Sequence, residues 1–260
     1  MAIITLTSDW GTSDYYAAAV KGVILSQLPN ATIVDISHEI PQFNVAEAGF
    51  TLRNCYRFFP EGTIHIIAVE TIESTDTPHV VVKAHGQYFI GANNGVFSHI
   101  LDNQYDEAVE INIEQDSNFY TFSTRDRFAK VAVMIAKGKP LSEIGTVGKP
   151  LQNGGSFCAV VKNNIIEGIV IHIDSYDNLI TNITRELFDE VGKGREFTIK
   201  VKGDLYTIDE LVDCYDDVDQ LEPVALFGTH GYLELALNHA KMASLWGLDV
   251  RSSIQVVFKE

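Results

Sequence analysis

Cysteine is scarce in this chain of 260 residues, where Cys55, Cys158 and Cys214 make three. An odd number of widely spaced thiols without a Cys-x-x-Cys pair supplies neither a disulfide framework nor a thiolate zinc site, so buried free thiols are expected. Long hydrophobic runs are missing too. The apolar stretches at 66–69 and 169–171 have the length of strands, far below the roughly 18 residues of a membrane helix. The first six residues are too short for a signal peptide, which makes the cytoplasm the expected compartment and leaves no membrane partner. Positive charge is the third shortage. Lysine and arginine number 19 against 35 acids, a formal net charge of −16, so the summed field repels phosphate backbones and no nucleic-acid partner is expected. The acids crowd between residues 204 and 222, but that run lacks the glycine turn and ligand register of an EF-hand and reads as a solvated loop. Also absent are a GxSxG elbow, an HExxH helix, a GxxxxGK[ST] loop and a GxGxxG opening of the first helix, which removes the commonest serine hydrolases, zincins and P-loop NTPases. Gly145, Gly148 and Lys149 lack the first glycine and the hydroxyl of a phosphate loop and read as a turn.

What remains is a globular composition, 46% hydrophobic and 21% charged, with a two-part texture. Through residue 150 strand-like and helix-like runs alternate, as in a three-layer α/β domain with a mostly parallel sheet. Strands are predicted at 3–7, 32–36, 63–70, 80–84, 87–91 and 108–113, and helices at 15–28, 44–59, 95–101 and 126–137. Asn44 and Glu47 have capping-box spacing. Residues 151–260 open on a linker-like Asn153-Gly154-Gly155-Ser156 and then alternate with period two, which predicts a smaller β domain. Its strands are expected at 157–162, 165–174, 179–182, 197–201, 205–208, 224–227 and 253–258, with short helices at 185–191 and 239–245.

Several polar residues fall at the C-terminal ends of predicted strands, where open α/β sheets bind ligands. Asp9 follows the first strand, as an acceptor for a ribose diol or as a turn former. Glu70 and Glu73 after the third strand are general bases or plain loop acids. Asn93 and Asn94 precede Gly95 in a turn. Ser123 and Thr124 open a helix whose N-terminus favours an anion or a nucleophilic oxygen, with simple capping as the alternative. In the second domain Asp174, Tyr176, Asn178, Thr181 and Asn182 cluster around a strand end, and Gly228-Thr229-His230-Gly231-Tyr232 forms a small-residue loop. His230 and His172 lack a third ligand, so no metal is expected.

The motifs Ser8-Asp9-Trp10-Gly11-Thr12, Val34-Asp35-Ile36-Ser37-His38-Glu39-Ile40, Phe59-Pro60-Glu61-Gly62-Thr63, Gly91-Ala92-Asn93-Asn94-Gly95, Thr121-Phe122-Ser123-Thr124-Arg125-Asp126, Asn178-Leu179-Ile180-Thr181-Asn182-Ile183 and Gly228-Thr229-His230-Gly231-Tyr232-Leu233-Glu234 occur in order along the chain. Together they resemble the S-adenosyl-L-methionine hydroxide adenosyltransferase family, which includes fluorinase and chlorinase. The resemblance implies an N-terminal α/β domain, a C-terminal β-barrel-like domain and a homotrimer that binds S-adenosylmethionine where subunits meet, with no metal and no cofactor beyond that substrate. It assigns Asp9 to the ribose diol, Asn93 and Asn94 to the neighbourhood of the sugar, Asp174 to the methionine ammonium, Thr229 and His230 to the carboxylate, and Tyr176 and Asn178 to the adenine.

The departures from the family pattern matter as much. Its hydrolases carry Asp, Arg and His where this chain has Glu70, Thr77 and Ser123, and no Arg or Lys lies between Glu70 and Lys83. Its halogenases place a hydroxyl where Thr124 stands and an uncharged residue where Glu70 stands. An ionised carboxylate about 4 Å from a halide costs roughly 4 kcal/mol at an effective dielectric of 20, so Glu70 favours water over halide. The expected activity is therefore hydrolysis of S-adenosylmethionine to adenosine and L-methionine, with Glu70 as base and Ser123 and Thr124 orienting the nucleophile. The alternative is a binder of S-adenosylmethionine or adenosine that has lost the triad and does not turn over.

Overall fold

A computed structural model describes residues 2–115, 120–155 and 158–259. The chain divides into two compact units, Met1–Ser156 and Phe157–Glu260. In the first unit the elements run β1 (Ile3–Ser8), α1 (Tyr16–Gln27), β2 (Thr32–Ser37), α2 (Val45–Arg53), β3 (Ile64–Ala68), β4 (His79–Ala84), β5 (Gln87–Ala92), α3 (Val96–Leu101), β6 (Glu107–Ile111), α4 (Ala129–Ala136) and β7 (Gly145–Thr146). The sheet order is β2-β1-β3-β5-β4-β6-β7, with β2, β1, β3 and β5 mutually parallel and β4 antiparallel to both its neighbours. Every residue of β3 is buried, as a strand covered on both faces requires. Alternate side chains feed two cores. Ile4, Leu6, Ile64, Ile66 and Ile90 pack with α1 and α4, while Ile67, Val80, Val82 and Phe89 pack with α2 and α3. The result is the three-layer α/β arrangement read from the sequence.

The chain leaves β1 for β2 on one side and returns past β1 to reach β3 on the other. The crevice at the C-terminal ends of β1 and β3 is thus a topological switch point. Parallel register sets Ser8 beside Ala68 and Ile66 beside Ile90, so the loops after β1, β3 and β5 leave the sheet at one level.

Two helices depart from expectation. Asn44 caps α2, its Oδ1 accepting from the Glu47 N–H at 3.1 Å, but the helix ends at Arg53 and a 3-10 turn covers Tyr56–Phe58. Tyr56 is fully buried there against Phe89, and Pro60 bars a continued helix. The helix predicted at 126–137 starts earlier, with a π-helical turn over Thr124–Phe128 that runs into α4.

The second unit is antiparallel, with β8 (Val160–Lys162), β9 (Ile165–Ile173), β10 (Leu179–Thr184), α5 (Arg185–Gly192), β11 (Phe197–Val201), β12 (Tyr206–Ile208), β13 (Pro223–Phe227), β14 (Tyr232–Leu237), α6 (Met242–Trp246) and β15 (Ser253–Phe258). The order β12-β11-β15-β9-β10-β14-β13, with β8 added beside β9, forms a nearly closed, barrel-like sheet around Ile166, Val170, Leu179, Ile199, Leu235 and Val256. The first strand expected here starts at Val160 rather than at Phe157, which lies outside the described residues. No strand is predicted over β14, whose Tyr-Leu-Glu-Leu-Ala-Leu is rich in helix formers. Pairing with β10 and β13 on its two sides overrides that preference. The cysteines also correct the reading. Cys158 and Cys214 are exposed, and only Cys55 is sheltered, its thiol pushed up to about 11 by burial.

Candidate functional site

The first unit gathers its candidates at the edge where β1, β3 and β5 end. Asp9 follows β1, half-buried, and its Oδ2 accepts the Phe43 N–H at 2.9 Å. Glu70 follows β3 with an exposed side chain and a backbone in the left-handed region, φ 48°. A non-glycine residue holds that conformation only when its surroundings enforce it. Asn94 enforces it, its Nδ2 donating to the Val69 carbonyl at 3.2 Å and to the Glu70 carbonyl at 3.0 Å. Asn93 is buried, and its amide is engaged with the Pro150 carbonyl at 3.1 Å and the Gln152 N–H at 2.7 Å. Both asparagines therefore hold backbone, which the turn reading of Asn-Asn-Gly did not anticipate.

Ser123 and Thr124 are buried at the start of the π-helical turn. Ser123 makes no side-chain cap, and the N–H groups of Arg125 and Asp126 both donate to the Phe122 carbonyl at 3.1 Å. An aromatic cluster ties this turn to the Asp9 loop, with Phe122 edge-on to Trp10 at 5.6 Å and to Tyr16 at 5.4 Å. Arg125 folds over Phe122 and pairs with Asp126 through two short contacts of 2.5 and 2.7 Å.

A cluster beside this edge was missed. Arg127 Nη1 donates to Glu73 Oε1 at 2.6 Å and to His79 Nδ1 at 3.0 Å, while His79 Nε2–H donates to the Thr71 carbonyl at 2.9 Å. Burial first, and the facing Arg127 as well, hold the His79 ring below the usual histidine value, against the Thr71 hydrogen bond and the Glu73 charge. Glu73 was singled out in sequence. Its partners were not, because this guanidinium arrives from the π-helical turn, 54 residues along the chain.

In the second unit β9 and β10 are joined by a turn that Asp174 organises. Its Oδ1 accepts the N–H groups of Tyr176 at 2.9 Å and Asn178 at 2.8 Å, and its Oδ2 accepts Asn178 Nδ2 at 3.2 Å. The same Asn178 amide reaches Glu234 Oε1 at 3.2 Å. Glu234 is buried on β14 and also accepts from the Tyr215 hydroxyl and, at 3.2 Å, from His230 Nε2. The Tyr232 N–H donates to His230 Nδ1 at 3.1 Å, which sets the tautomer that points N–H at Glu234. Burial alone would raise the Glu234 carboxyl; the His230, Tyr215 and Asn178 hydrogen bonds outweigh it and hold the group below its ordinary value. The opposite shift falls on Tyr215, raised by burial and by the Glu234 carboxylate beside it. Asp174, Asn178 and His230 are thus brought together around an acid that sequence reasoning left without a role. Tyr176 and Thr229 are exposed at its margin.

Residues 4–145 match the family model described as the SAM hydroxide adenosyltransferase N-terminal domain, and residues 168–255 match that of its C-terminal domain. The chain belongs to the SAM hydroxide adenosyltransferase family. An (R)-S-adenosyl-L-methionine hydrolase of Methanocaldococcus jannaschii is 29% identical over 98% of this chain and 96% of its own length. A fluorinase of an Actinoplanes species is 28% identical over 98% of this chain and 97% of its own. Among solved structures, an uncharacterized conserved protein of Thermotoga maritima superposes with a TM-score of 0.88 at 27% identity, covering 99% of this chain and 100% of that one.

In this SAM hydroxide adenosyltransferase family member Thr77 lies in the loop that follows β3. Here Thr77 closes a tight turn, its Oγ1 donating to the Ile72 carbonyl at 3.1 Å and lying 2.8 Å from Ser74 Oγ. Among the described residues no three His, Cys, Asp or Glu side chains come together in a way that could hold a metal ion. No described helix is long and apolar enough to cross a membrane.

Proposed function

We propose that the protein hydrolyses S-adenosylmethionine by displacement at the ribose 5′ carbon, giving adenosine and L-methionine. The observation that carries this reading is the placement of Glu70. Asn94 fixes its backbone at the C-terminal end of β3, on the edge that also carries Asp9 and, through the aromatic cluster, adjoins Thr124. In this reading a water oxygen attacks C5′, its proton passes to the Glu70 carboxylate, and the C5′–S bond breaks with its electron pair moving to sulfur. Methionine leaves as a neutral thioether. The hydroxyls of Ser123 and Thr124 orient the water, and positioning supplies much of the acceleration. Asp9 takes the ribose diol, with Asn93 and Asn94 supporting the sugar edge. Asp174, Thr229 and His230 take the amino-acid end, while Tyr176 and Asn178 face the adenine. No metal and no cofactor besides the substrate is needed, and a homotrimer belongs to the same reading.

The test is incubation with S-adenosylmethionine in oxygen-18 water, with and without chloride, followed by mass spectrometry. Adenosine labelled at its 5′ hydroxyl is expected, without 5′-chloroadenosine and with no loss of rate in EDTA. Glu70→Gln is expected to lower kcat by about a hundredfold or more and to leave ligand affinity in place. A second reading, a non-catalytic binder of S-adenosylmethionine or adenosine, is favoured by one observation, the exposure of the Glu70 side chain. Calorimetric binding without any product would establish it over the first.

A further inference from the structure

The ten residues between β3 and β4 form an irregular loop, 69–78, most of it exposed, and loops of that kind are mobile unless tied down. Glu70 sits at its start. At its centre lies an ion pair reached from another element. Arg127, on the π-helical turn that begins with Thr124, donates through Nη1 to Glu73 at 2.6 Å and to His79 at 3.0 Å. His79 is fully buried, stands edge-on to Phe128 at 4.7 Å and donates from Nε2 to the carbonyl of Thr71, the residue after Glu70. Its Nδ1 therefore carries a lone pair toward Arg127, as the contact requires. Arg127 Nε is buried and without a hydrogen-bond partner, so among the described residues the paired carboxylate that offsets this guanidinium is Glu73. One side chain thus links the turn holding the Thr124 hydroxyl to both sides of the loop segment that holds Glu70.

We propose that Arg127 is a positioning residue, clamping loop 69–78 through Glu73 and His79 so that Glu70 and Thr124 keep a fixed separation. The inference rests on the hydrolase reading for its kinetic consequence but not for its structural one. Releasing the clamp lets the loop sample other placements of Glu70. Misplacement of a reacting group by about an ångström costs up to about a hundredfold in rate, while the ribose and amino-acid contacts are untouched.

The experiment compares the full-length wild type with Arg127→Met and with Glu73→Gln, a near-isosteric change at the exposed end of the pair that guards against a misfolded arginine variant. Amide hydrogen exchange and steady-state kinetics on S-adenosylmethionine are measured together. The expected result is exchange across 70–78 faster by about tenfold or more, with β1, β3 and β5 unchanged, and kcat lower by about tenfold to a hundredfold with KM within about threefold. Unchanged exchange in both variants, or unchanged kcat in a variant whose loop has loosened, overturns the clamp. If the wild type itself yields no product, the hydrolase reading falls, and the exchange measurement alone decides whether the loop is clamped.

Discussion

His65 lies on β3 with no exposed surface, its Nδ1 2.7 Å from Thr5 Oγ1 and its Nε2 2.9 Å from Gln87 Oε1. The Gln87 amide is itself committed, its Nε2 donating to the Phe59 carbonyl at 2.7 Å, so Oε1 must accept and His65 must donate from Nε2. Burial keeps the ring neutral, so Nδ1 accepts from Thr5. Burial pushes its pKa down to about 4, against the Gln87 hydrogen bond, from an ordinary value of 6.5. The unfolded chain takes up a proton that the native chain excludes. The contribution of the neutral ring is therefore fully present above pH 6.5 and drains away as the pH falls toward about 4, a loss on the order of 3 kcal/mol. Urea unfolding of the wild type and of His65→Gln between pH 7.5 and 4.5 isolates it. The wild type should lose stability faster with acid than the variant, and parallel curves would show that this ring titrates as an ordinary histidine. Working at the variant difference matters because His79 and His99 are also held low by burial.

At the scale of elements, the β13–β14 hairpin depends on what its turn leaves out. A Cβ at Gly228 would press into His230 Nε2 and come within 3.0 Å of Glu234 Oε2, so the side chains of the buried cluster lie directly over that backbone. Gly228→Ala is expected to cost about 1–3 kcal/mol and to raise KM, since His230 and Asn178 share the Glu234 carboxylate. Gly22→Ala on α1, where nothing lies within 4 Å of the new Cβ, is expected to stabilise by about 0.5–1 kcal/mol. Thermal melts of the pair should move in opposite directions; a shared direction would mean that the cluster tolerates the methyl. The contrast also marks what the sequence made legible. The strands of the first unit announce themselves as apolar runs between turn residues, and the Asn44 cap by its spacing to Glu47. β14 does not, because its strand state is imposed by neighbours on both sides. Glu234, which lies on it, stood in a motif but was given no role. The Arg127 cluster was hidden for a second reason: its partners are 54 and 48 residues away, and no local pattern encodes a contact made by folding. Asp174 was legible as one of a polar cluster at a strand end, but its hold on the turn and its link through Asn178 to a third strand were not.

At the scale of the whole molecule, a net charge of −16 acts on any ligand before contact. S-adenosylmethionine carries a sulfonium, an ammonium and a carboxylate and so approaches as a net cation, whereas adenosine is neutral. The field of the protein raises the encounter rate of the first and leaves the second alone. Salt collapses that field, the Debye length falling from about 30 Å at 0.01 M to about 3 Å at 1 M. On the hydrolase reading, kcat/KM for S-adenosylmethionine should fall several-fold as ionic strength rises across this range, while the affinity for adenosine changes by less than about twofold. Running the series in potassium acetate and again in potassium chloride separates screening from chemistry, because screening depends on ionic strength and a halide nucleophile on chloride alone. Equal slopes in the two salts support long-range steering. A flat acetate series would mean that only the charges within the site govern capture, and that the acidic surface between residues 204 and 222 serves solubility rather than substrate delivery.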